Sequence, residues 1–317
     1  MINSVRNTVL SILNKNNYGY ISPSDFNLFA KQAQMDIFED YFYQYNYQIN
    51  KENARQSGTG YADLKKGYEE VIEIFSETKF LTSTNNAAPI NQFNLPSPTT
   101  TGDDYYIINK VLAYQDIVTT GITTATNPNS LDDANATFVN DGVALGDIVC
   151  NTTAIPDTVS TVTTVGLQTS LGLASTIFTV NGSAYVIFRP KQNELEKVTI
   201  GKITMLNNSA LTAPNRLFPA YSQEGNILTA YPSNVTSAVL CQYIRYPKAP
   251  KWTYVQLTNG EPSFDSSQAD FQDFELPNDD EPSLVMKILQ YAGMSIREVQ
   301  AVQFGQAQDQ EDSQEER

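Results

Sequence analysis

Hydrophobic residues recur every third or fourth position at both ends of this 317-residue chain, whereas its middle holds short β-branched and aromatic runs between turn residues. That change of pattern constrains the fold more than any motif, because a 3.6-residue repeat gives a helix one apolar face and short β-branched runs favour strands. Met1 to Leu13 has the pattern of an amphipathic helix. Phe26, Phe29, Ala30, Ala33, Ile37 and Tyr41 mark a longer helix from Ser22 to about Asn46. A short piece is expected near Ile49 to Gln56, and Leu64, Tyr68, Val71, Ile72 and Phe75 mark another helix over Tyr61 to Phe75. At the other end, Asn278-Asp279-Asp280-Glu281-Pro282 is an acidic cap with proline in the first turn, where the helix dipole favours negative charge. The helix it starts is expected to run to about Gln303. Its stripe of Leu284, Val285, Ile288, Leu289, Ala292, Ile296 and Val299 needs a partner, and the N-terminal helices are the candidates.

Between these ends, β-branched and aromatic runs separated by turn residues predict strands at Tyr105 to Ile108, Ser175 to Val180, Ala184 to Arg189, Ile227 to Tyr231 and Ser237 to Tyr246. The last is apolar on both faces and is expected to be covered on both sides. The chain therefore reads as α+β, with N-terminal helices packing on a C-terminal helix and a central antiparallel β-domain. Five segments are expected. They are helical residues 1–80, a Thr- and Asn-rich β insertion over 81–180, a β-domain over 181–260, an acidic linker and helix over 261–305, and a flexible acidic tail over 306–317.

The corner before the long helix has the outline of a calcium-binding loop. Set on that template, its positions fall on Asn14, Asn16, Tyr18, the turn-making Gly19, Ser22 and Asp25. The ligands do not fit: neutral amides and a phenol stand where carboxylates offset the dehydration of a doubly charged ion, and the closing Glu is a shorter Asp. The corner reads as a helix-turn-helix with Ser22 as N-cap, Pro23 at the first helical position and Asp25 reaching back toward the cap. Beyond it, Phe38, Phe42, Tyr43, Tyr45 and Tyr47 widen the apolar girth past what one small core covers. Tyr41, Phe42, Tyr45 and Tyr47 are accordingly expected at a subunit interface.

The chain has no histidine, which excludes Ser-His-Asp and Cys-His nucleophile arrangements and any His-ligated metal. Cys150 and Cys241 lie far apart and read as small hydrophobes. The adjacent pairs Asp103-Asp104, Asp132-Asp133 and Asp279-Asp280 point apart on any regular element, so adjacency makes no catalytic dyad. Gly58 and Gly60 lack the Lys and Ser/Thr of a phosphate-binding loop. No catalytic, cofactor or metal residue is expected, and the chain does not read as an enzyme. No apolar run approaches the length of a membrane span, and the N-terminus does not read as a signal peptide, so synthesis and retention in a cytoplasm are expected. The sequons at Asn135, Asn151, Asn181, Asn207 and Asn234 then carry no glycan.

Charge is unevenly spread. Residues 181–260 hold eight basic and three acidic side chains, whereas 81–180 hold one and eight, and 261–317 hold three and fourteen. A net charge of −15 argues against a free-standing nucleic-acid binder and suits a conduit past which DNA slides without sticking.

Several stretches resemble a known family. They are Asn14-Lys15 through Gly19-Tyr20-Ile21-Ser22-Pro23 to Tyr41-Phe42, then Leu195 and Val198 through Leu211-Thr212-Ala213-Pro214 to Tyr243-Ile244-Arg245-Tyr246-Pro247, Pro250 and Trp252, and Leu276-Pro277 through Leu284-Val285 to Tyr291-Ala292-Gly293. They look like virion neck proteins of crAss-like bacteriophages, and the closing helix is similar to head-to-tail adaptors of the tail tubular protein A type. The resemblance implies a structural ring protein, commonly twelve copies, beneath the portal. In such rings helices surround the channel and a β-domain lies outward. The implied partners are further copies of itself, the portal, neighbouring neck or tail proteins and passing DNA, with no membrane. The implied location is the virion, after synthesis in the bacterial host. Residues 81–180 lie outside the resemblance. Two other readings stay open: a surface- or glycan-binding β-module built on that insertion, and a calcium-binding protein built on residues 14–25.

Overall fold

The structure, a computed structural model, describes residues 1–13, 21–54, 64–84, 91–154, 157–258 and 260–296. Its helices are α1 (Ile2–Leu13), α2 (Pro23–Ala54), α3 (Leu64–Glu73), α4 (Ile200–Asn207) and α5 (Glu281–Ile296). The first strands are β1 (Ser76–Phe80), β2 (Thr82–Ser83), β3 (Gln92–Asn94), β4 (Tyr105–Tyr114), β5 (Ile117–Ile122), β6 (Ser130–Asp132), β7 (Ile148–Asn151), β8 (Thr158–Val165) and β9 (Ser170–Leu173). They are followed by β10 (Ala184–Phe188), β11 (Gln192–Glu194), β12 (Glu196–Lys197), β13 (Ala220–Glu224), β14 (Ile227–Tyr231), β15 (Val239–Arg245), β16 (Tyr254–Gln256) and β17 (Pro262–Phe264). The class is α+β, and every ladder between these strands is antiparallel except β12 with β13. The chain forms two compact units, one of Met1–Phe75 with Pro247–Arg317 and one of Ser76–Tyr246.

The first unit is built on α2. Ser22 caps it as the sequence predicts: the Asp25 N–H donates to Ser22 Oγ at 3.1 Å, and the Ser22 hydroxyl donates to the Asp25 carboxylate at 2.7 Å. Its buried face carries Phe26, Ala30, Ala33, Ile37, Phe38 and Tyr41, and it packs on both α3 and α5, while α1 packs on α5. The helix does not break near Asn46. Gln44 and Gln48 continue the buried stripe three and seven residues after Tyr41, and no Gly or Pro interrupts the helix after Pro23. The separate piece expected at Ile49 to Gln56 is therefore, through Ala54, the end of the same helix. On α5, Leu284, Val285, Ile288, Leu289 and Ala292 are all buried, and a short 3₁₀ turn at Asn278–Asp280 leads into it. The part of the closing helix expected beyond Ile296, and the tail over 306–317, lie outside the described residues.

Polar side chains fasten the segment after Pro247 to these helices. Gln34, itself buried, donates to the Lys248 carbonyl at 2.8 Å and accepts from the Glu275 N–H at 3.2 Å. Asn27 accepts the Trp252 N–H at 2.8 Å. The indole of Trp252 donates to Asn3 at 3.1 Å, lies 3.8 Å beneath the Arg6 guanidinium, and is stacked by Tyr254 and Phe264 of the β16–β17 hairpin. The N-terminal amine and the Ile2 N–H both reach Asp273, at 3.1 and 2.7 Å.

The second unit contains a sandwich and a smaller barrel-like sheet. One sandwich layer has the order β1-β15-β4-β11 and the other β12-β13-β14-β3-β2. Between them lie Leu81, Phe93, Leu95, Val111, Tyr221, Leu228, Val239, Cys241 and Tyr243. The remaining sheet has the order β5-β10-β7-β8-β9-β6, and a bridge from Ala125 to Asp132 brings its two ends together around Leu131, Phe138, Val149, Val162, Leu171, Phe178, Tyr185 and Ile187. Gly121 lets the Tyr185 ring lie flat against β5, since a Cβ there would stand 2.6 Å from the Tyr185 Cζ. A third cluster joins the two sheets: Phe80, Tyr114, Ala238 and Leu240 from the sandwich meet Cys150, Phe188, Val159 and Val186 from the barrel. β15 is thus covered on both faces, as its sequence predicts.

Two expectations about this region are corrected. The boundary at residue 180 does not separate two domains. β4, from the expected insertion, lies at the centre of the sandwich against β15, and β10, from the expected β-domain, lies inside the barrel between β5 and β7. Strand pairing over more than a hundred residues decides this, and composition does not encode it. Ser175 to Val180 is not a strand. The Ser175 N–H is taken by Ser160 Oγ and the Thr176 hydroxyl by Asn129, so the segment makes no ladder and instead lowers Ile177 and Phe178 into the barrel core.

Candidate functional site

Between β12 and β13 the sandwich carries a nineteen-residue stretch, 200–218, whose apolar side chains mostly face solvent. It starts as α4. Ile203 is buried and Leu206 half-buried against Val198, Ala220 and Tyr231, which anchors the helix on the sandwich. The same helix leaves Ile200 and Met205 exposed, and the following loop exposes Leu211, Leu217 and Phe218. Met205 is 74 % exposed, Leu211 94 % and Phe218 76 %.

These side chains stand on a well-fastened backbone. Asn193 donates its side-chain amide to the carbonyls of Arg216 and Leu217 at 3.0 and 3.1 Å. Asn215 accepts the N–H groups of Leu217 and Phe218, both at 2.9 Å, and closes a tight turn. The Arg216 guanidinium donates to the carbonyls of Tyr114, Gln115 and Asn234. Burial holds its pKa below the usual arginine value. No acidic residue occurs from 197 to 218, and at the start of the stretch Lys202 pairs with Glu196 at 3.9 Å while Lys197 donates to Gln223 at 2.9 Å. A fixed loop that offers Leu, Leu and Phe to water has the chemistry of a contact surface. Each such side chain gains about 1.5–3 kcal/mol when covered.

Of the four residues expected at an interface, one is buried and three are half-buried. Tyr41 is buried in its own unit, and its hydroxyl donates to Asp280, so it serves the private core. Phe42 is half-buried, edge-on to Phe38 with ring centroids 5.1 Å apart, and Tyr45 and Tyr47 are half-buried. The aromatic of this run that stands out from the helix is Tyr43. Of the calcium-like loop, Asn14, Asn16 and Tyr18 lie outside the described residues, while Ser22 and Asp25 are spent on the α2 cap. Among the described residues no group of three or more His, Cys, Asp or Glu side chains is placed to hold a metal ion.

The paired aspartates have separate structural partners. Asp103 takes Lys79 at 2.6 Å, Asp132 accepts the hydroxyls of Ser130 and Ser170 and the amide of Asn127, Asp133 accepts the Tyr185 hydroxyl, and Asp280 accepts that of Tyr41. Those three donors outweigh partial burial and hold Asp132 below the usual carboxylate range. Both cysteines are buried thiols. Burial pushes Cys241 up to about 12, and burial with the neighbouring Asp157 raises Cys150 too. The exposed series at 200–218 is the feature the sequence pattern did not single out. Its signal was seven large apolar residues within nineteen, of which only Ile203 and Leu206 pack on the sandwich.

Compared with known proteins, the chain matches no family model and no curated protein. No helix among the described residues is long and apolar enough to cross a membrane.

Proposed function

We propose that this chain is a structural virion protein, a ring-forming head-to-tail connector subunit that docks on the portal and borders the DNA passage. In this reading α1, α2, α3 and α5 form an adaptor-type bundle, about twelve copies close the ring, and neighbouring neck or tail proteins bind its far side. The observation that carries the reading is the firmly held, exposed apolar series Ile200, Met205, Leu211, Leu217 and Phe218. Two features of the sequence add support: the neck-protein resemblance, and an acidic balance that repels DNA instead of gripping it. Rings are made by heterologous contacts, in which one surface of a subunit meets a different surface of the next.

Electron microscopy of the purified full chain, alone and mixed with the portal of the same virion, tests this. Rings of this protein, free or seated on the portal, are the expected result. Single particles that ignore the portal at micromolar concentration overturn the reading.

A further inference from the structure

The turn that feeds β10 holds a carboxamide against the backbone nitrogen that follows it. Asn181 and Gly182 are both exposed, and the Gly182 N–H donates to Asn181 Oδ1 at 2.8 Å. Among the described residues the Asn181 side chain makes no other hydrogen bond. Gly182 has no side chain to keep its nitrogen from the Asn181 Cγ, and it lies at a φ of 82° with open space where a Cβ would stand. We propose that Asn181 is a site of spontaneous covalent modification, where the amide is converted through a cyclic imide to a mixture of aspartate and isoaspartate. The proposal is independent of the ring reading.

The reaction needs water and nothing else. Base removes the Gly182 amide proton, the nitrogen attacks the Asn181 Cγ, and the bond from Cγ to Nδ2 breaks with release of ammonia. Water then opens the imide on either side of its nitrogen. Cleavage of the new bond gives aspartate, and cleavage of the original peptide bond routes the main chain through the side chain as isoaspartate. Either product adds a negative charge to the turn.

Other asparagines on the barrel are held away from this chemistry. Asn151 donates to the Ile177 carbonyl and accepts the N–H groups of Thr153 and Ala154, Asn140 is paired with Gln168, and Asn129 accepts the Thr176 hydroxyl. None of the three is followed by glycine. At Asn181 one contact acts as a brake. The Gly182 N–H is shared with the Thr123 carbonyl at 2.9 Å, and Thr123 Oγ1 accepts the Ser183 N–H at 3.0 Å. The nitrogen is released when this end of the β5–β10 ladder opens, so the folded chain should react about tenfold more slowly than the unfolded one.

The test incubates the full chain at neutral and mildly alkaline pH in water enriched in heavy oxygen, then maps peptides by fragmentation that separates aspartate from isoaspartate. Native protein is compared with protein unfolded in guanidinium and with Asn181→Gln, whose longer side chain closes such a ring far more slowly. Heavy oxygen should accumulate at position 181 of the native protein as both products, faster at the higher pH, and at about a tenth of the unfolded rate. The Asn181→Gln variant should keep the native thermal transition and gain no heavy oxygen at that position.

A native rate more than about a hundredfold below the unfolded one would mean that Thr123 keeps the turn closed, and it overturns the proposal. Aspartate without isoaspartate overturns it too, since direct hydrolysis by water then replaces attack by Gly182. So does equal reaction at Asn129, Asn140 or Asn151 in the folded chain, because the geometry at Asn181 would then select nothing.

Discussion

Asp157 is the residue whose surroundings say most about how this chain responds to pH. It lies where the barrel meets the sandwich, with the Cys150 thiol at 3.8 Å and the Ala238 N–H at 3.3 Å, both on the same carboxylate oxygen. Burial raises its pKa to about 6, and the two donors only partly offset that rise. An unfolded chain titrates this carboxyl near 3.8, so the folded protein binds the proton more tightly. Stability from this group is therefore greatest at low pH, falls as pH rises from about 4 to about 6, and is level above that. Asp157→Asn should remove the fall: its stability relative to the native chain should be about 2–3 kcal/mol higher at pH 7 than at pH 4. Urea unfolding of both proteins at the two pH values measures this. An equal difference at both values would show an ordinary, solvated carboxyl. The comparison isolates Asp157 from groups such as Glu77, held low by Lys79 despite partial burial, whose contribution is lost as pH falls.

At the scale of elements, the start of α2 was legible because capping is local: Ser22, Pro23 and Asp25 carry the signal within four residues. Its end was not, because Gln44 and Gln48 extend the buried stripe without hydrophobicity. The strands at Ala184, Ile227 and Val239 announced themselves by β-branched and aromatic runs between turns, but their partners lie far along the chain, and the boundary at 180 failed for that reason. Tyr41 shows the same limit. Its helical spacing was readable, yet nothing local tells that Asp280 waits across α2 and α5. Burial raises the Asp280 pKa, and the Tyr41 hydroxyl works against that rise. Tyr41→Phe should therefore cost about 1–3 kcal/mol at pH 7, and less as pH falls through the raised Asp280 pKa, below which the carboxyl no longer needs the donor. Thermal unfolding reads the first effect and sedimentation a second: oligomeric state should stay unchanged. A variant of native stability that no longer associates would return Tyr41 to the interface role that the sequence suggested.

For the whole molecule, the connection between the two units is a matter of register. β1 begins at Ser76 and pairs with β15 so that Ser76 lies opposite Ile244 and Phe80 opposite Leu240. The chain therefore enters and leaves the second unit on adjacent strands, whose backbones run about 5 Å apart. The first unit is completed from both ends of the sequence: α2 needs α5, and Trp252 needs Asn3, Arg6 and Asn27. Residues 76–246 thus form an insertion with its own cores, and it can be cut out without opening a ladder. Expressed alone, 76–246 should unfold cooperatively in urea with a β-type circular dichroism spectrum. The complementary protein, Phe75 joined to Pro247 by a short Gly-Ser linker, should be predominantly helical, whereas residues 1–75 alone should lack a cooperative transition because the buried face of α2 has lost α5. If 1–75 folds by itself while the linked protein does not, the C-terminal segment is not part of the first unit's core, and the reading of α5 as its closing helix fails.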